Sequence, residues 1–388
     1  MRNMIFLSLI LVLVALGNCK EPDFFGYFEP QLMTFYSHKS DDWALLNSNK
    51  LRLDIEVKPG KKVKFGANVN FYNYYGTTAY NLLDYLSPEI TAIAQPHEQY
   101  YEFAYKDSIE LDNVYLRMSF QYADVTVGIQ QISYGTGYAW NPTDIFNRKD
   151  VLDPTYEQPG HNAVRFDVPL NRNVSMMVIY APGDNWNVPT ALLRLKARLG
   201  RFDFSFCGTT TPWKQTFYPV LGYREEERIL VGGDLVGQLM GLGVWIEGAY
   251  NHMQLTEDFW EMTAGLDYTL RNELYILGEI YYHSEASSSS DDYTLNDWMS
   301  YFSGLTRTIG QSQAYVFIQY PITDLIHISS SIIGCINDES VALVPQLNYS
   351  LFQDVELTVF GNLYMGNEGT MYSKDLGNGG QIRLRVYF

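Results

Sequence analysis

From residue 23 onward, apolar and polar residues alternate along most of the chain. In the segment 51–58 every second residue is apolar and the residues between are charged, and 191–199 and 382–388 repeat this arrangement. Successive side chains of a β-strand point to opposite faces, so a period of two places apolar side chains on one face and charges on the other. The chain is therefore predicted to be all-β, with strands that have one apolar face and one face in water.

About eighteen segments of this kind can be counted, an even number in the range of bacterial single-chain membrane barrels. The predicted strands are 25–37, 50–58, 62–75, 109–121, 124–133, 161–169, 173–181, 189–199, 202–210, 227–236, 240–251, 259–269, 273–283, 311–320, 324–335, 340–349, 354–365 and 379–388. The count corresponds to a barrel of about 16 to 18 strands.

The connections between these strands alternate between tight turns and longer loops. Tight turns are predicted at 59–61, 122–124, 171–172, 200–201, 270–272, 323–324 and 352–354. The longer loops, rich in Gly, Asn, Ser and acidic residues, are predicted at 76–108, 134–160, 208–226, 284–310 and 366–378. Short periplasmic turns with longer external loops are typical of outer-membrane barrels. The pattern predicts a transmembrane antiparallel up-and-down β-barrel with both termini on the periplasmic side.

The beginning of the chain has the organisation of an export signal. Arg2 gives it a basic start, and the segment 5–16 is apolar apart from one serine but too short to span a bilayer. Residues 1–17 are therefore expected to be a signal peptide, and 18–388 a single outer-membrane β-barrel domain.

Two ways of processing this signal remain open. Small residues at Ala15 and Gly17 favour cleavage after Gly17. The segment 16–19 also resembles a lipobox, which would make Cys19 a lipidated N-terminus.

Composition supports the membrane interpretation without deciding it. The 388 residues include 31 Tyr, 21 Phe and 7 Trp, and only 18% are charged, yet beyond the signal no apolar run approaches the length of a membrane helix. Aromatic side chains of this abundance suit the headgroup girdles of a barrel in outer-membrane lipid, although a soluble β-sandwich could share these totals. A net charge of −17 argues against nucleic acid as a partner.

The C-terminal strand carries a first resemblance. Its alternating residues end in Tyr387 and Phe388, and this ending resembles the terminal β-signal of Gram-negative outer-membrane proteins. The resemblance implies a place in the bacterial outer membrane and a passing interaction with the barrel-assembly machinery, which reads this signal during biogenesis.

A second resemblance lies in the segment 128–146. Gly128-Ile129-Gln130-Gln131 is followed by Tyr134-Gly135-Thr136-Gly137-Tyr138-Ala139-Trp140-Asn141-Pro142-Thr143-Asp144-Ile145-Phe146. It resembles porin-like outer-membrane families in which a strand leads into a G-x-x-W-N-P-x-D-x-F loop. The resemblance implies a porin-like protein and no particular solute.

The charged residues that alternate with the apolar face are the candidates for lining a pore. They are Arg52, Asp54, Glu56, Arg117, Arg165, Arg194, Lys196, Arg198, Glu247, Glu261, Glu279, Arg383 and Arg385. Basic residues occupy the strands from the C-terminal one round through the first eight, and acids dominate the tenth to thirteenth predicted strands. Walls of opposite sign would create a field across a water-filled lumen. Alternatively, these charges neutralise each other in ordinary pairs.

The loop that follows the 128–131 strand contains apolar residues that would not remain in solvent. Its candidates for a constriction are Trp140, Asn141, Asp144, Phe146 and Arg148. One hypothesis is that this loop folds inward and narrows the lumen. The other is that it forms a structured turn on the barrel rim, with Asn141 and Asp144 capping the chain.

The function predicted from these features is passive passage of small polar solutes, because eighteen strands enclose an aqueous channel. The alternative is an adhesin or a structural, ligand-binding barrel with a plugged lumen. An enzyme is disfavoured: only His327 and Ser329 place a histidine and a serine on one face. No nucleotide, zinc or cysteine-pair motif suggests a cofactor or a metal. Porins of this width are often trimers, so a homotrimer is one possible partner arrangement, and the sequence does not fix the oligomeric state.

Overall fold

The computed structural model describes residues 22–37, 41–183, 188–217 and 222–388. Within these ranges the chain is almost entirely sheet. The strands are β1 (Asp23–Ser37), β2 (Asp42–Gly60), β3 (Val63–Gly76), β4 (Ala79–Asn81), β5 (Glu102–Ala104), β6 (Ser108–Ser119), β7 (Asp124–Gln131), β8 (Gly160–Pro169), β9 (Val174–Ala181), β10 (Thr190–Leu199), β11 (Phe202–Phe217), β12 (Gly222–Leu239), β13 (Leu242–Met253), β14 (Phe259–Thr269), β15 (Tyr275–His283), β16 (Ser312–Thr323), β17 (Ile326–Cys335), β18 (Ser340–Phe352), β19 (Val355–Tyr364) and β20 (Gly379–Tyr387). The expected signal peptide 1–17 and Cys19 lie outside the described residues.

Eighteen of these strands form one closed antiparallel barrel, as the alternation predicted. Each strand pairs with its neighbours along the chain, and β20 pairs with β1, with Tyr387 opposite Tyr27. The backbone N–H groups of Gly26 and Phe388 each donate to the carbonyl of the other, both at 3.0 Å. The two short strands β4 and β5 form a separate two-stranded antiparallel sheet in the long connection between β3 and β6. Closure leaves the barrel sheet without a free edge strand in the described part of the chain, as a barrel in lipid requires.

The outer surface of the barrel is an apolar belt. Leu193 and Leu195 of β10 are 48% and 40% exposed, and Phe206 of β11 is 58% exposed. Between the two leucines, Arg194 points inward and pairs with Asp234 of β12 at 3.0 Å. A soluble protein rarely exposes a continuous surface of this kind, so the fold and its surface indicate the outer membrane of a bacterium.

Two α-helices of the described residues, α1 (Pro88–Ala94) and α2 (Leu295–Phe302), lie in the long connections β3–β6 and β15–β16. None of the helices in the described ranges has the length and apolar character needed to cross a bilayer.

Tight turns lie at one end of the barrel, together with Asp23 and Tyr387, and the long loops 77–107, 132–159, 284–311 and 365–378 lie at the other. The predicted long loop 208–226 was wrong. β11 continues to Phe217, and β12 begins at Gly222, with pairs such as Lys214 opposite Glu225. This part of the hairpin has polar residues on both faces, as suits strands that extend beyond the membrane into water. The sequence there has no alternation of apolar and polar residues, so the strands could not be recognised from it.

These four long loops pack together inside the mouth of the barrel at their own end. Leu83 and Ile90 of the first loop share one hydrophobic cluster with Trp140 of the second, Trp298 of the third and Tyr372 of the fourth. The cluster also includes inward residues of the wall, among them Trp245, Leu277, Tyr281, Tyr315 and Ile333. The core of this protein is therefore a cap within the mouth of the barrel.

Candidate functional site

The loop 132–159, called the inner loop below, crosses the full width of the lumen. It bonds to Lys50 of β2 on one side and to Glu247 of β13 on the other. In the ring of eighteen strands, β2 and β13 lie half-way round from each other. Glu247 sits near the middle of its strand, so the loop also descends well into the barrel. The geometry corresponds to an inward loop, in contrast to a turn on the rim.

Glu247 holds one part of the inner loop through main-chain donors. Its carboxylate accepts hydrogen bonds from the backbone N–H groups of Thr136 at 2.6 Å, Gly137 at 3.0 Å and Thr143 at 2.8 Å. The Thr143 hydroxyl donates to the same carboxylate at 2.7 Å. Bonds to an ionised acceptor are the strongest kind available to backbone amides, so this contact anchors the loop firmly.

Glu279 of β15 holds the adjoining residues in the same way. It accepts from the backbone N–H groups of Tyr138 at 2.5 Å, Ala139 at 2.9 Å and Trp140 at 2.9 Å. The indole of Trp245 donates to it at 2.6 Å. Glu247 and Glu279 together form a clamp of two carboxylates, called the glutamate clamp below.

The glycines of the inner loop allow this close wrapping. Gly135 has φ of +90°, a conformation that residues with a Cβ rarely adopt. A Cβ on Gly137 would lie 1.8 Å from the carbonyl oxygen of Trp140. Both positions therefore need glycine, which accounts for the Gly-Thr-Gly part of the motif.

Asp144 organises the inner loop from within. Its carboxylate accepts from the backbone N–H groups of Tyr134 at 3.1 Å, Phe146 at 2.9 Å and Asn147 at 3.1 Å. The amide of Asn141 donates to the Tyr134 carbonyl at 2.9 Å. Burial raises the pKa of Asp144 to about 6, although these hydrogen bonds act in the opposite direction. The motif residues Asn141 and Asp144 thus shape the loop rather than face a solute.

The apolar residues of the motif pack on both walls. Trp140 is 5% exposed and stacks on Tyr281 of β15, with ring centroids 5.3 Å apart. Phe146 packs edge-on against Tyr134 and His161. Their burial explains why a stretch this apolar can lie inside an otherwise polar barrel.

Arg307 of the loop 284–311 joins the inner loop to the wall. It donates to the carbonyls of Asn141 at 2.8 Å and Asp144 at 2.6 Å, and to the carboxylate of Glu261 at 3.1 Å. Arg148 of the inner loop reaches back, donating to the carbonyl of Tyr301 at 2.6 Å. Neither partner pair was predicted, because both join loops that have no periodic pattern.

Three of the predicted pore-lining residues do not line water. Glu247, Glu261 and Glu279 face the lumen, but they are only 1%, 2% and 3% exposed. The inner loop and Arg307 cover them and satisfy their oxygen atoms. The expectation that they line the pore is therefore corrected, and with it the acidic wall.

The other predicted lumen charges form local pairs. Asp54, on the wall of β2, pairs with Arg52 at 2.8 Å, Glu56 with Lys64 at 2.6 Å, Arg117 with Asp124 at 2.5 Å, Arg165 with Asp167 at 2.8 Å, Lys196 with Asp203 at 2.9 Å and Arg198 with Asp203 at 2.7 Å. Arg383 lies 3.6 Å from Glu29, and Arg385 also pairs with Glu29. This arrangement matches the alternative in which charges neutralise each other. It does not match walls of opposite sign.

Two cavities of different size lie inside the barrel. A cavity of about 370 Å³ lies among Arg165, Asp167, Arg194 and Lys196. Next to the inner loop, a cavity of about 20 Å³ lies among Trp140, Arg148, Lys149, Tyr301 and Arg307. The second holds about one water molecule. Within the described ranges, no three His, Cys, Asp or Glu side chains converge as metal ligands would.

Comparison with known proteins gives a likeness of fold. No family model and no curated protein matches the sequence. Pseudomonas aeruginosa OpdO superposes with a TM-score of 0.60 at 10% identity, covering 96% of this chain and 98% of that one. OccK7 (OpdD) of the same organism gives 0.58 at 9% identity over 95% and 99%, and Acinetobacter baumannii OccAB1 gives 0.57 at 10% over 96% and 97%.

These structures share the barrel fold of this chain over nearly its whole length. At this identity the likeness concerns the fold alone. The closed barrel, its apolar belt and its inward loop together define a protein of the outer-membrane barrel class.

Proposed function

We propose that this protein is an outer-membrane channel for the passive passage of small polar solutes. The observation that carries the proposal is an eighteen-strand barrel with paired charges inside and one loop across its lumen. A barrel of this width holds water, while a narrower one is filled by its own side chains. A loop fixed inside such a lumen determines the size of the solutes that pass.

Polar side chains on β18, β19 and β20 mark the side along which solutes would move. Asn348 accepts from Gln346 at 3.1 Å and from Thr358 at 3.1 Å, and Arg383 donates to Thr358 at 3.2 Å. On the opposite side, Ile145 and Phe146 of the inner loop pack against apolar residues of β8, β9 and β10. Water and polar solutes would therefore follow the first side.

A second candidate function is a ligand-binding or adhesive barrel with a plugged lumen. The hydrophobic cap formed by the four long loops favours it, because it fills the external mouth. In that case the external loops would carry the function, and the lumen would serve only to support them.

Single-channel recording in planar bilayers separates these candidates. We expect discrete conductance steps for the purified barrel. Replacing both Arg194→Ser and Arg198→Ser should shift the ion selectivity towards cations, because Asp234 and Asp203 lose guanidinium partners. The matched control is Arg172→Ser, in an exposed tight turn. A folded, inserted barrel without conductance would contradict the channel and favour the plugged alternative.

Export and assembly belong to the same proposal. The segment 1–17 would direct export, and the terminal strand that ends in Phe388 would be read by the assembly machinery. Lipid then surrounds the apolar belt. A homotrimer, the form common among porins of this width, would be recognised by its mass in detergent solution.

A further inference from the structure

The end of the inner loop makes a second contact with the wall, opposite the glutamate clamp. Glu157 lies three residues before β8, yet it bonds to residues of β1, β2 and β20. Neighbouring strands are about 4.8 Å apart, so β8 and β20 are separated by about 29 Å along the wall. The contact therefore passes through the interior of the barrel. It joins the loop to the seam where the last strand meets the first.

Glu157 is held there by three cations and a hydroxyl. One carboxylate oxygen accepts from the Tyr27 hydroxyl at 2.8 Å and from the Arg385 guanidinium at 2.6 Å. The other accepts from the Lys50 ammonium at 2.7 Å and lies 3.7 Å from Arg52. We call Tyr27, Lys50, Arg52 and Arg385 the cation cage.

The charges around the cation cage balance only when Glu157 is present. Arg383 adds a fourth cation, and the wall supplies three anions, Glu29, Asp54 and Asp112, each within 4 Å of an arginine. Glu157 is the fourth anion and belongs to the loop. Without its charge, this network of ion pairs would carry one excess positive charge.

The neck of the inner loop is fixed independently of Glu157. The backbone N–H of Gly160 donates to Asp112 at 2.9 Å, and the amide of Gln131 donates to the Gln158 carbonyl at 3.0 Å. Losing the Glu157 contact would therefore free the loop from the seam and leave its neck in place. The side chain of Glu157 is 31% exposed, more than those of Lys50, Arg52 or Arg385. It is thus the member of the cluster that meets the lumen water.

We propose that Glu157 closes the gap between the inner loop and the barrel seam, and that its negative charge sets the ion selectivity of the passage. This inference rests on the proposed channel function. Burial raises the pKa of Glu157, but attraction to Lys50 and Arg385 and the hydrogen bonds from Lys50 and Tyr27 outweigh it and lower the pKa to about 2. The carboxylate is therefore ionised at neutral pH, as the contacts with Lys50 and Arg385 require.

The test is Glu157→Gln in the full chain, recorded in planar bilayers beside the wild type. We expect single-channel conductance to rise about twofold and the reversal potential to move towards anion selectivity, since one negative charge leaves a passage lined by cations. The matched control is Glu110→Gln, which removes the same charge from β6, where Glu110 accepts only a local bond from Ser108 at 2.9 Å among the contacts described. Migration of unheated samples on a gel shows that each variant is folded.

The outcomes are distinguishable. The inference is supported if conductance and reversal potential change in Glu157→Gln and not in Glu110→Gln. It is also supported if the wild type shows no conductance steps and Glu157→Gln does. Steps in the wild type that Glu157→Gln leaves unchanged overturn the inference and leave the channel standing. Silence of every folded, inserted variant overturns the channel and the inference together.

Discussion

Among single residues, Asp144 couples the inner loop to pH. Its carboxyl is 1% exposed, and burial raises its pKa from 3.8 to about 6. The folded loop therefore binds this proton more tightly than the released loop does. The stabilisation that protonated Asp144 gives to the folded inner loop is fully present below about pH 4. It is lost as the pH rises to about 6, and the whole loss is about 3 kcal/mol. We expect the amides of 134–147 to exchange hydrogen more readily over that interval, after correction for intrinsic exchange.

The variant that isolates this effect is Asp144→Asn. An asparagine keeps one acceptor oxygen but has no proton to release, so the dependence between pH 4 and 6 should flatten. The control is Asp150→Asn in the same loop, whose carboxylate accepts from the nearby Leu152 backbone N–H at 3.0 Å in an exposed position. Identical pH profiles for Asp144→Asn and the wild type would show that another group governs the loop.

At the scale of elements, the glutamate clamp decides where the inner loop lies. Each of Glu247 and Glu279 satisfies three backbone N–H groups, and an unsatisfied buried donor costs about 1–3 kcal/mol. In the double variant with Glu247→Ala and Glu279→Ala, we expect the loop to leave the wall while the barrel remains folded. Limited proteolysis should then cut within 134–148, where the wild type resists.

A control for this experiment is Glu56→Ala, which removes a lumen-side acid whose partners Lys58 and Lys64 lie on β2 and β3. It should resist proteolysis as the wild type does. If the double variant also resists, the hydrophobic packing of Trp140 and Phe146 holds the loop without the clamp.

The strands could be predicted from the sequence because their signal is local. A period of two within ten residues is enough to recognise β10 or β20, and the turn lengths then order them. β11 and β12 were cut short because polar residues occupy both faces where the hairpin leaves the membrane. Strand residues that lie beyond the lipid need no apolar face, so the sequence shows no alternation by which to recognise them.

The anchoring of the inner loop could not be predicted in this way. Glu247 and Glu279 lie more than 100 residues from the amides they bind, and each looks like an ordinary inward acid of its strand. Glu157 and Arg307 belong to loops without periodicity. One signal was available: a glycine-rich run with many backbone donors and few acids of its own must find acceptors elsewhere. The inward acids of the facing strands were the nearest acceptors for these backbone N–H groups.

For the whole molecule, the segregation of tight turns from long loops predicts which end faces the outside of the cell. The loops that form the cap would be external, and the turns around Arg201 and Met240 would be periplasmic. An epitope tag inserted after Ser288 should bind antibody on intact cells, since this exposed position lies in the loop 284–311. A tag inserted after Met240, which is 94% exposed in a tight turn, should bind only after the outer membrane is permeabilised.

If antibody bound the Met240 tag and not the Ser288 tag on intact cells, the order in which a solute meets the parts of the lumen would also be reversed. The inner loop and its cap would then close the periplasmic mouth, and a solute from outside would first meet the cavity of about 370 Å³ beside Arg165 and Arg194. With the expected labelling, a solute meets the cap and the inner loop first and reaches the wider cavity only after passing Glu157. Solutes would then be selected before they enter the barrel, because the loop that is bonded to both walls of the lumen faces the medium. Labelling of both tags on intact cells, with the barrel shown to be folded, would contradict either arrangement.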